Sequence, residues 1–448
     1  MNNLFKKIWH SPTFTTWGNY AAKSLRLLLV TPLILTRFDT TEIAAWYLFA
    51  SLNFFGETIA TRLGLTFSRM FAFAMGGASN LSPIKGKRER ENDGKPNWNA
   101  FERAYGTIGS LNLGIGWFNI LIALGMGWFG LNNILSGYEA KGTIWLAFAF
   151  MQVSSLLVFI FQRYQIALRG MNYIALSNRW AILFSLLSIL FGFITLWCGG
   201  GIVALVIVMQ LFAMIGVLRN RFLLHNVEEG RVIHFKQYGF DREVFRWAWE
   251  PTWKGFIAQF GLSGSAQLTA VIYTAFGSKI EVAALLFAVR MLQTITQIAQ
   301  APFSAVQPLM SRMMAAGEMK ALGRMIKKRM ALVMSLMLVG VLAGALVFPF
   351  LLQLIGSNLV FIPVSAWLLL GGFTLIIRFN VLCCAVRATG NEMIYYWEMG
   401  LAAICSAVAL ILLGNLWGVY TPIVTSTLPL IIILNFGPAR KARIVLMK

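Results

Sequence analysis

Long apolar stretches recur along the whole chain, and they constrain its fold more than any motif does. A helix that spans a bilayer needs about 20 mainly apolar residues, and runs of that length follow one another along the sequence. The composition agrees, because 58% of the residues are hydrophobic and only 12% are charged, whereas soluble domains carry roughly 25% charged residues. The sequence therefore predicts an all-α polytopic membrane protein.

Twelve spans of this kind can be assigned, with polar segments between them. They lie near residues 15–36, 43–75, 105–130, 143–161, 171–195, 202–218, 251–275, 282–311, 331–353, 361–385, 393–413 and 419–437. The second and eighth spans exceed the hydrocarbon thickness, so we expect them to tilt or to project from the membrane. The polar segment at the midpoint predicts two six-helix lobes, residues 1–222 and 251–448, joined by a cytoplasmic linker, residues 223–250.

The positive charges indicate how the spans are oriented. The chain has 38 Lys and Arg against 17 Asp and Glu, for a net charge of +21. With twelve spans, 28 of these cations lie on one side of the membrane, seven lie within spans, and three (Arg37, Lys141 and Lys279) lie on the other side. Because cytoplasmic loops concentrate Lys and Arg, both termini are predicted to be cytoplasmic. The excess positive charge is then explained by anionic lipid rather than by nucleic acid.

No motif in the sequence indicates catalysis or metal binding. The four cysteines lie in or beside apolar spans without CxxC spacing, and the three histidines lie in charged segments. The stretch GMGWFG (residues 125–130) matches GxGxxG, but it lies inside a span without the strand and helix that a dinucleotide site requires. We therefore expect a protein that is not an enzyme and has no catalytic residue, metal or cofactor.

Seven cations lie within spans, where a charge near the bilayer centre costs roughly 2.5–3.5 kcal/mol. Only Glu57 and Glu398 are comparably deep, so carboxylates cannot neutralise all seven. Glu57 is a candidate for ion coupling or for a counter-ion, and Glu398 has no explanation from the sequence. Snorkelling is the favoured interpretation near the span ends, and a polar cavity is favoured for the deeper cations. The near-end group is Arg69, Lys254 and Arg378, the deeper group is Lys23, Arg26 and Arg290, and Arg62 is intermediate.

Polar residues follow one face of span eight at alternating spacings of three and four residues. This line comprises Arg290, Gln293, Gln297, Gln300, Ser304, Gln307 and Ser311. With polar positions in spans one, two and seven, it predicts a water-accessible wall containing Asn19, Asn53, Glu57, Gln259, Gln293, Gln297, Gln300, Ser304 and Gln307. The alternative is that these side chains form hydrogen bonds between helices, worth ~0.6 kcal/mol each.

The two halves of the chain share a pattern where their second helices begin. LTRFDTTEIAAWYLF (35–49) and YTAFGSKIEVAALLF (273–287) both contain T-x-F followed by E-[IV]-A-A, and each begins a long helix that ends in SRM. Matched positions in the two halves are offset by 236 to 243 residues. Because each half has an even number of spans, we expect parallel repeats with a cleft between two bundles.

These features resemble the MOP superfamily of flippases, and within it the Wzx-type polysaccharide-lipid flippases of bacterial envelopes. The resemblance covers the whole chain in topology. In sequence it rests on APFSAVQPLMSRMMAAGEMKALGRMIKK (301–328) and on the two E-[IV]-A-A elements. It implies a MATE-like V of two bundles in the bacterial inner membrane, with a cleft lined by spans 1, 2, 7 and 8.

The resemblance also implies a function. Related flippases move an oligosaccharide, linked by pyrophosphate to undecaprenol, from the cytoplasmic to the periplasmic leaflet for surface polysaccharides such as the O-antigen of lipopolysaccharide. Membrane lipids, a polysaccharide polymerase and a chain-length regulator would be the partners. These flippases work by alternating access, and basic residues in their helices one, two and eight bind the anionic headgroup. A match by helix and depth assigns this role to Lys23, Arg26, Arg62 and Arg290, and Lys254 is a further candidate for it.

Three other functions are open to a polytopic membrane protein of this composition. A MATE-like cation-coupled antiporter of drugs or organic cations typically needs an acidic residue in helix one or seven, whereas helix one of this chain contains Lys23. A major-facilitator transporter would usually have a G-x-x-x-D-R-x-G-R motif where this sequence reads GGASNLSPIKGKRER. A membrane glycosyltransferase or polymerase would usually have a large external loop or an acidic motif. The flippase is the leading prediction, and the MATE-like antiporter is the alternative.

Overall fold

The described part of the chain is built from α-helices. The computed structural model describes residues 12–81, 95–228, 232, 239–304, 319–354, 356–357, 359–388 and 396–436, and no β-strand occurs within these ranges. Twelve helices follow one another, of which α7 contains a π-helical turn. They are α1 (Pro12–Arg37), α2 (Thr40–Met75), α3 (Trp98–Ile134), α4 (Lys141–Gly170), α5 (Ile174–Trp197), α6 (Ile202–His225), α7 (Arg242–Gln259, Phe260–Gly264 and Ser265–Tyr273), α8 (Lys279–Ser304), α9 (Met319–Leu354), α10 (Val364–Ala388), α11 (Tyr396–Leu413) and α12 (Tyr420–Phe436). The predicted all-α fold with twelve helices is confirmed.

Eight of these helices are long and apolar enough to cross a membrane. Large apolar side chains such as Leu121, Leu346 and Leu412 are exposed on them, as expected for a surface that faces lipid. The apolar helix α12 is slightly shorter, with 17 residues. The remaining three helices, α1, α2 and α7, fall short of the same criterion, and they contain most of the charged residues that the sequence places within spans.

Two helices are longer than a bilayer requires. The 36 residues of α2 extend about 54 Å at 1.5 Å per residue, compared with a hydrocarbon core of about 30 Å. Helix α9 begins twelve residues before the predicted span, because the preceding basic segment is also helical. Leu322 and Ile326 are buried on one face of this segment, while Arg324, Lys327 and Lys328 are exposed. The apolar face therefore extends the helix beyond the apolar run.

The first of two compact units comprises Met1–Arg37, Phe55–Gly125 and Glu139–Phe256. In this unit α1 packs on α5, α4 packs on α6, and α5 packs on α6. Its apolar core contains Phe67, Phe71 and Phe101, all fully buried, and the rings of Phe71 and Phe101 stack at 4.4 Å between centroids.

The start of α7 is bound to α3 within this first unit. Asp241 accepts backbone hydrogen bonds from Glu243 and Val244 through Oδ1, which makes it the N-cap of α7. Arg103 of α3 donates to Asp241 over 2.6 Å and to Glu243 over 2.7 Å. The Asp241 backbone N–H donates to Thr107 Oγ. The hydrogen bond from Arg103 lowers the pKa of Asp241 below its ordinary value.

The second compact unit comprises Phe38–Phe54, Met126–Tyr138 and Ile257–Lys448. Here α8 packs on α9, α9 on α10, α10 on α12, and α11 on α12, while the last part of α7 packs on α11 and α12. The first part of α2 belongs to this unit. Tyr47 of α2 meets Phe287 of α8 edge to face, at 5.8 Å between ring centroids.

A π-helical turn interrupts α7 at Phe260–Gly264. Gly261 lies directly against the backbone of α11, and a Cβ atom there would overlap the carbonyl oxygen of Met399. Gln259 Nε2 donates to Ser263 Oγ over 3.0 Å across the turn. Such π-turns occur frequently at functional sites, and this one lies shortly before Gln267.

Candidate functional site

A small cavity of about 20 Å³ lies in the second unit, among α2, α7 and α8. Its wall on α2 consists of Tyr47, Ala50, Ser51 and Phe54, and Gln267 contributes from α7. Its wall on α8 consists of Leu286, Val289, Arg290 and Gln293. Arg290 and Gln293, two members of the predicted polar line, therefore face a cavity.

The two helical walls use equivalent positions. The four α2 residues and the four α8 residues are each spaced by three, one and three residues, and every matched pair is 239 residues apart. This offset lies within the range over which the two halves resemble each other. The pairs differ in chemistry, because Ser51 corresponds to Arg290 and Phe54 corresponds to Gln293. The cavity thus has one mainly aromatic wall and one cationic and amide wall.

Matching caps begin the two helices. Asp39 and Glu42 exchange hydrogen bonds, from Asp39 N to Glu42 Oε2 at 3.2 Å and from Glu42 N to Asp39 Oδ1 at 2.8 Å. Ser278 and Glu281 do the same at 3.0 and 3.3 Å. These capping boxes explain the shared glutamate of the E-[IV]-A-A elements. They begin both helices in the same register with respect to the cavity.

The cavity lies at the same distance from both helix starts. Arg290 lies eleven residues after the first residue of α8, and Ser51 lies eleven residues after the first residue of α2. At 1.5 Å per residue this is about 17 Å from each helix start, which is close to half of a 30 Å hydrocarbon core.

The polar groups of the α8 wall are available for a ligand. Among the described residues, the guanidinium of Arg290 meets no carboxylate, and the side-chain amide of Gln293 makes no hydrogen bond. Gln267 is only 5% exposed, and its amide also finds no partner in the described part of the chain. Ser51 donates to the carbonyl of Tyr47, one turn earlier, over 3.1 Å.

The rest of the predicted polar line has other surroundings. Gln297 is exposed. Gln300 accepts a hydrogen bond of 3.2 Å from Arg378 of α10, which is the interhelical role that the sequence left as the alternative. Ser304 ends α8 with a side chain outside the description, and Gln307 lies outside the described residues. The line is thus part cavity wall and part contact between helices.

The other predicted cations are in different settings. Lys254 pairs with Glu250 one turn earlier at 2.5 Å, and its ammonium lies 5.9 Å from the Trp253 ring centroid. Arg62 is half-buried within α2. Helix α1 contains Lys23 and Arg26, whose side chains lie outside the described part.

The remaining predicted wall positions do not line this cavity. Asn19, Asn53 and Gln259 are half-buried, and Glu57 is exposed. Glu398, which the sequence left unexplained, lies in the first turn of α11, where the helix dipole favours a negative charge.

The sequence reasoning missed the entire α2 wall. The α2 wall carries no conspicuous polar pattern, and the polar positions predicted in this span are Asn53 and Glu57 instead. The internal repeat nevertheless predicts these positions. Subtracting the repeat offset of 239 from the numbers of Arg290 and Gln293 identifies Ser51 and Phe54.

Comparison with known proteins identifies solved structures with a similar fold. No family model and no curated protein sequence matches the chain. An inward-facing multidrug resistance MATE family transporter of the MOP superfamily matches with a TM-score of 0.73 at 13% identity, over 94% of both chains. An outward-facing MATE family transporter matches with a TM-score of 0.65 at 13% identity, over 98% of this chain and 97% of the other.

A flippase has the same architecture. The lipid II flippase MurJ, in an inward closed conformation, matches with a TM-score of 0.63 at 9% identity, over 97% of this chain and 90% of the other. The solved structures that the chain resembles are therefore transporters and a flippase, not enzymes. The chain has the fold of the MOP-superfamily transporters.

Proposed function

We propose that this protein is a flippase that moves an undecaprenyl-pyrophosphate-linked oligosaccharide from the cytoplasmic to the periplasmic leaflet by alternating access. The observation that carries the proposal is the lining of the cavity in the second unit. It contains Arg290 and two amide side chains but no carboxylate. A site of this composition attracts an anionic, hydroxyl-rich cargo.

The five cations assigned from the sequence are the proposed headgroup site. Arg290 suits bidentate contact with a phosphate oxygen pair better than a lysine would. Lys23 and Arg26 of α1 and Arg62 of α2 are proposed for the same role. Lys254, already paired with Glu250, would contribute least. Export of negative charge is favoured by an inside-negative potential, at about 2.3 kcal/mol per charge per 100 mV.

The alternative is a MATE-like antiporter of organic cations coupled to an ion. The MATE transporters of the same fold support it, and Glu57 is the acid that would couple the ion. The unneutralised Arg290 argues against it, because an organic cation would meet like charge in the cavity. Glu57→Gln separates the two functions, since it abolishes transport in the antiporter and spares a flippase that uses no proton.

The proposal is tested by deleting the gene in its native host and analysing lipid-linked sugars on each face of the inner membrane. We expect surface glycan to be lost and the lipid-linked unit to accumulate on the cytoplasmic side. Wild type and Arg324→Gln, a change at an exposed cation on α9, should restore the glycan, whereas Arg290→Gln should not. Normal glycan with altered sensitivity to cationic drugs would overturn the proposal in favour of the antiporter.

A further inference from the structure

We infer that the exposed face at the start of α7 is a docking site for an anionic phospholipid of the surrounding leaflet. We call it the aromatic-arginine face, and it consists of Phe240, Arg242, Phe245, Arg246 and Trp249. The inference goes beyond the proposed function, because it concerns a surface outside the cavity and a lipid that is not the cargo.

The five residues lie on one side of the helix start. With about 3.6 residues per turn, the four helical members fall within an arc of about 100°, and Phe240 directly precedes the N-cap Asp241. The opposite side is buried, because Val244 and Ala248 lie in the apolar core of the first unit. The start of α7 is therefore amphipathic, with one face packed on the core and the other face exposed.

The aromatic side chains of this face are exposed although they are large. Phe240 is 50% exposed and Trp249 is 52% exposed. Phe245 lies between them, with its ring centroid 5.2 Å from that of Phe240 and 5.4 Å from that of Trp249. Contiguous exposed apolar surface marks an interaction site, and aromatic rings at a membrane surface lie at the level of the lipid headgroups.

The two arginines give the face an uncompensated positive charge. Both are exposed, and within the described ranges neither guanidinium forms an ion pair or a hydrogen bond. The acidic residues of this segment bind other cations. Asp241 and Glu243 bind Arg103, and Glu250 binds Lys254. The face therefore favours a lipid with a net negative charge over a zwitterionic lipid.

The predicted span of α7 places the face at the depth of the lipid headgroups. This span begins at Pro251, which Trp249 and Arg246 precede by two and five residues. At 1.5 Å per residue they lie about 3 and 8 Å from its start, and the headgroup layer extends roughly 5–7 Å beyond the hydrocarbon core. This end of α7 is the predicted cytoplasmic end, and the cytoplasmic leaflet contains anionic lipid that attracts basic segments.

Site-directed photo-cross-linking of the full-length protein tests the inference. Benzoylphenylalanine replaces Trp249, and the protein is reconstituted into vesicles of phosphatidylethanolamine with a minority of phosphatidylglycerol. Mass spectrometry then identifies the cross-linked molecules. We expect phosphatidylglycerol to be enriched about fivefold or more over its share of the vesicle, because one arginine near the surface favours an anionic lipid by about this factor. If this variant does not fold, the same label at Phe240 provides the test.

The same label at Trp197 is the matched control. Trp197 ends α5 and is 65% exposed, and no Lys or Arg lies within ten residues of it in the chain. An exposed aromatic position without neighbouring cations in the sequence should cross-link the two lipids in the proportions of the vesicle.

Removing the charge separates the arginines from the aromatic contacts. In the double variant Arg242→Gln and Arg246→Gln, the label at Trp249 should still cross-link lipid, because the aromatic surface remains. The enrichment of phosphatidylglycerol should fall to within about twofold of the control position. Arg324→Gln with Lys327→Gln, which removes two exposed cations of α9, should leave the enrichment unchanged.

Three results would overturn the docking site. The first is an equal lipid ratio at Trp249 and Trp197, and the second is an enrichment that survives the loss of both arginines. The third is cross-linking to a second copy of the chain in place of lipid. Because the vesicles contain no lipid-linked sugar, none of these results depends on the proposed function.

Discussion

Ser51 and Arg290 lie 239 residues apart, at equivalent positions of two helices that begin with matching caps, and both line one cavity. The pair shows how an internal repeat can produce an asymmetric site. The backbone pattern is retained in both helices, while one position carries a small hydroxyl and the other a cation. A substitution at one of two equivalent positions leaves the backbone arrangement intact and gives the cavity walls different chemistry.

The hydrogen bond between Gln300 and Arg378 should contribute to stability. Gln300→Leu leaves the half-buried Arg378 without its described partner, and we expect a loss of about 1–3 kcal/mol in the free energy of unfolding. Arg378→Met in the same background should recover part of this loss, because both polar partners are then gone. A double-mutant cycle from unfolding in detergent measures the coupling. Strict additivity of the two substitutions would show that the bond is not formed.

The contact between Gly261 and Met399 should tolerate no side chain. Gly261→Ala places a Cβ on the Met399 carbonyl, and the overpacking should lower stability by about 1–3 kcal/mol. Gly216→Ala in α6 is the matched control, because a Cβ there meets nothing within 4 Å. Thermal unfolding should show a lower Tm for the first variant only. Equal Tm values would mean that α7 and α11 separate easily at this point.

The contact between Arg103 and Asp241, which joins the start of α7 to α3, should make stability depend on pH. The pKa of Asp241 is lowered by Arg103, so its stabilising contribution is present above the ordinary carboxyl pKa of about 3.9. The contribution is lost as the pH falls through the lower pKa of the folded state. Asp241→Asn should therefore reduce stability at neutral pH and flatten the decline below about pH 4. Unfolding of both proteins between pH 3 and pH 7 checks this. Parallel plots of the free energy of unfolding against pH would show that the contact between Arg103 and Asp241 does not stabilise the fold.

The capping boxes should set the stability of their helices independently of the cavity. Ser278→Ala removes the N-cap hydroxyl of α8 and should cost about 1 kcal/mol of stability. Restoration of surface glycan in the deletion host should stay close to that of wild type, because the cap lies about 17 Å from Arg290. Unfolding and glycan restoration measured for the same variant separate the two effects. A large loss of glycan would show that the cap positions the cavity wall.

The order and type of the helices were accessible from the sequence, because they depend on local properties. Apolar runs of about twenty residues determine where a chain can span a bilayer, and all twelve predicted spans correspond to helices. The glutamates of E-[IV]-A-A mark helix starts through hydrogen bonds to residues three positions away. Alternating spacings of three and four also placed Arg290 and Gln293 on one face of α8.

Which neighbour meets each face was decided only by the tertiary structure. Periodicity cannot tell Gln293, which lines a cavity, from Gln300, which binds Arg378, since both lie on the same stripe of α8. The aromatic wall from Tyr47 and Phe54 and the π-turn against Met399 likewise depend on residues far apart in the chain. Hydropathy and spacing encode helices and their faces, whereas long-range packing selects which faces enclose a site.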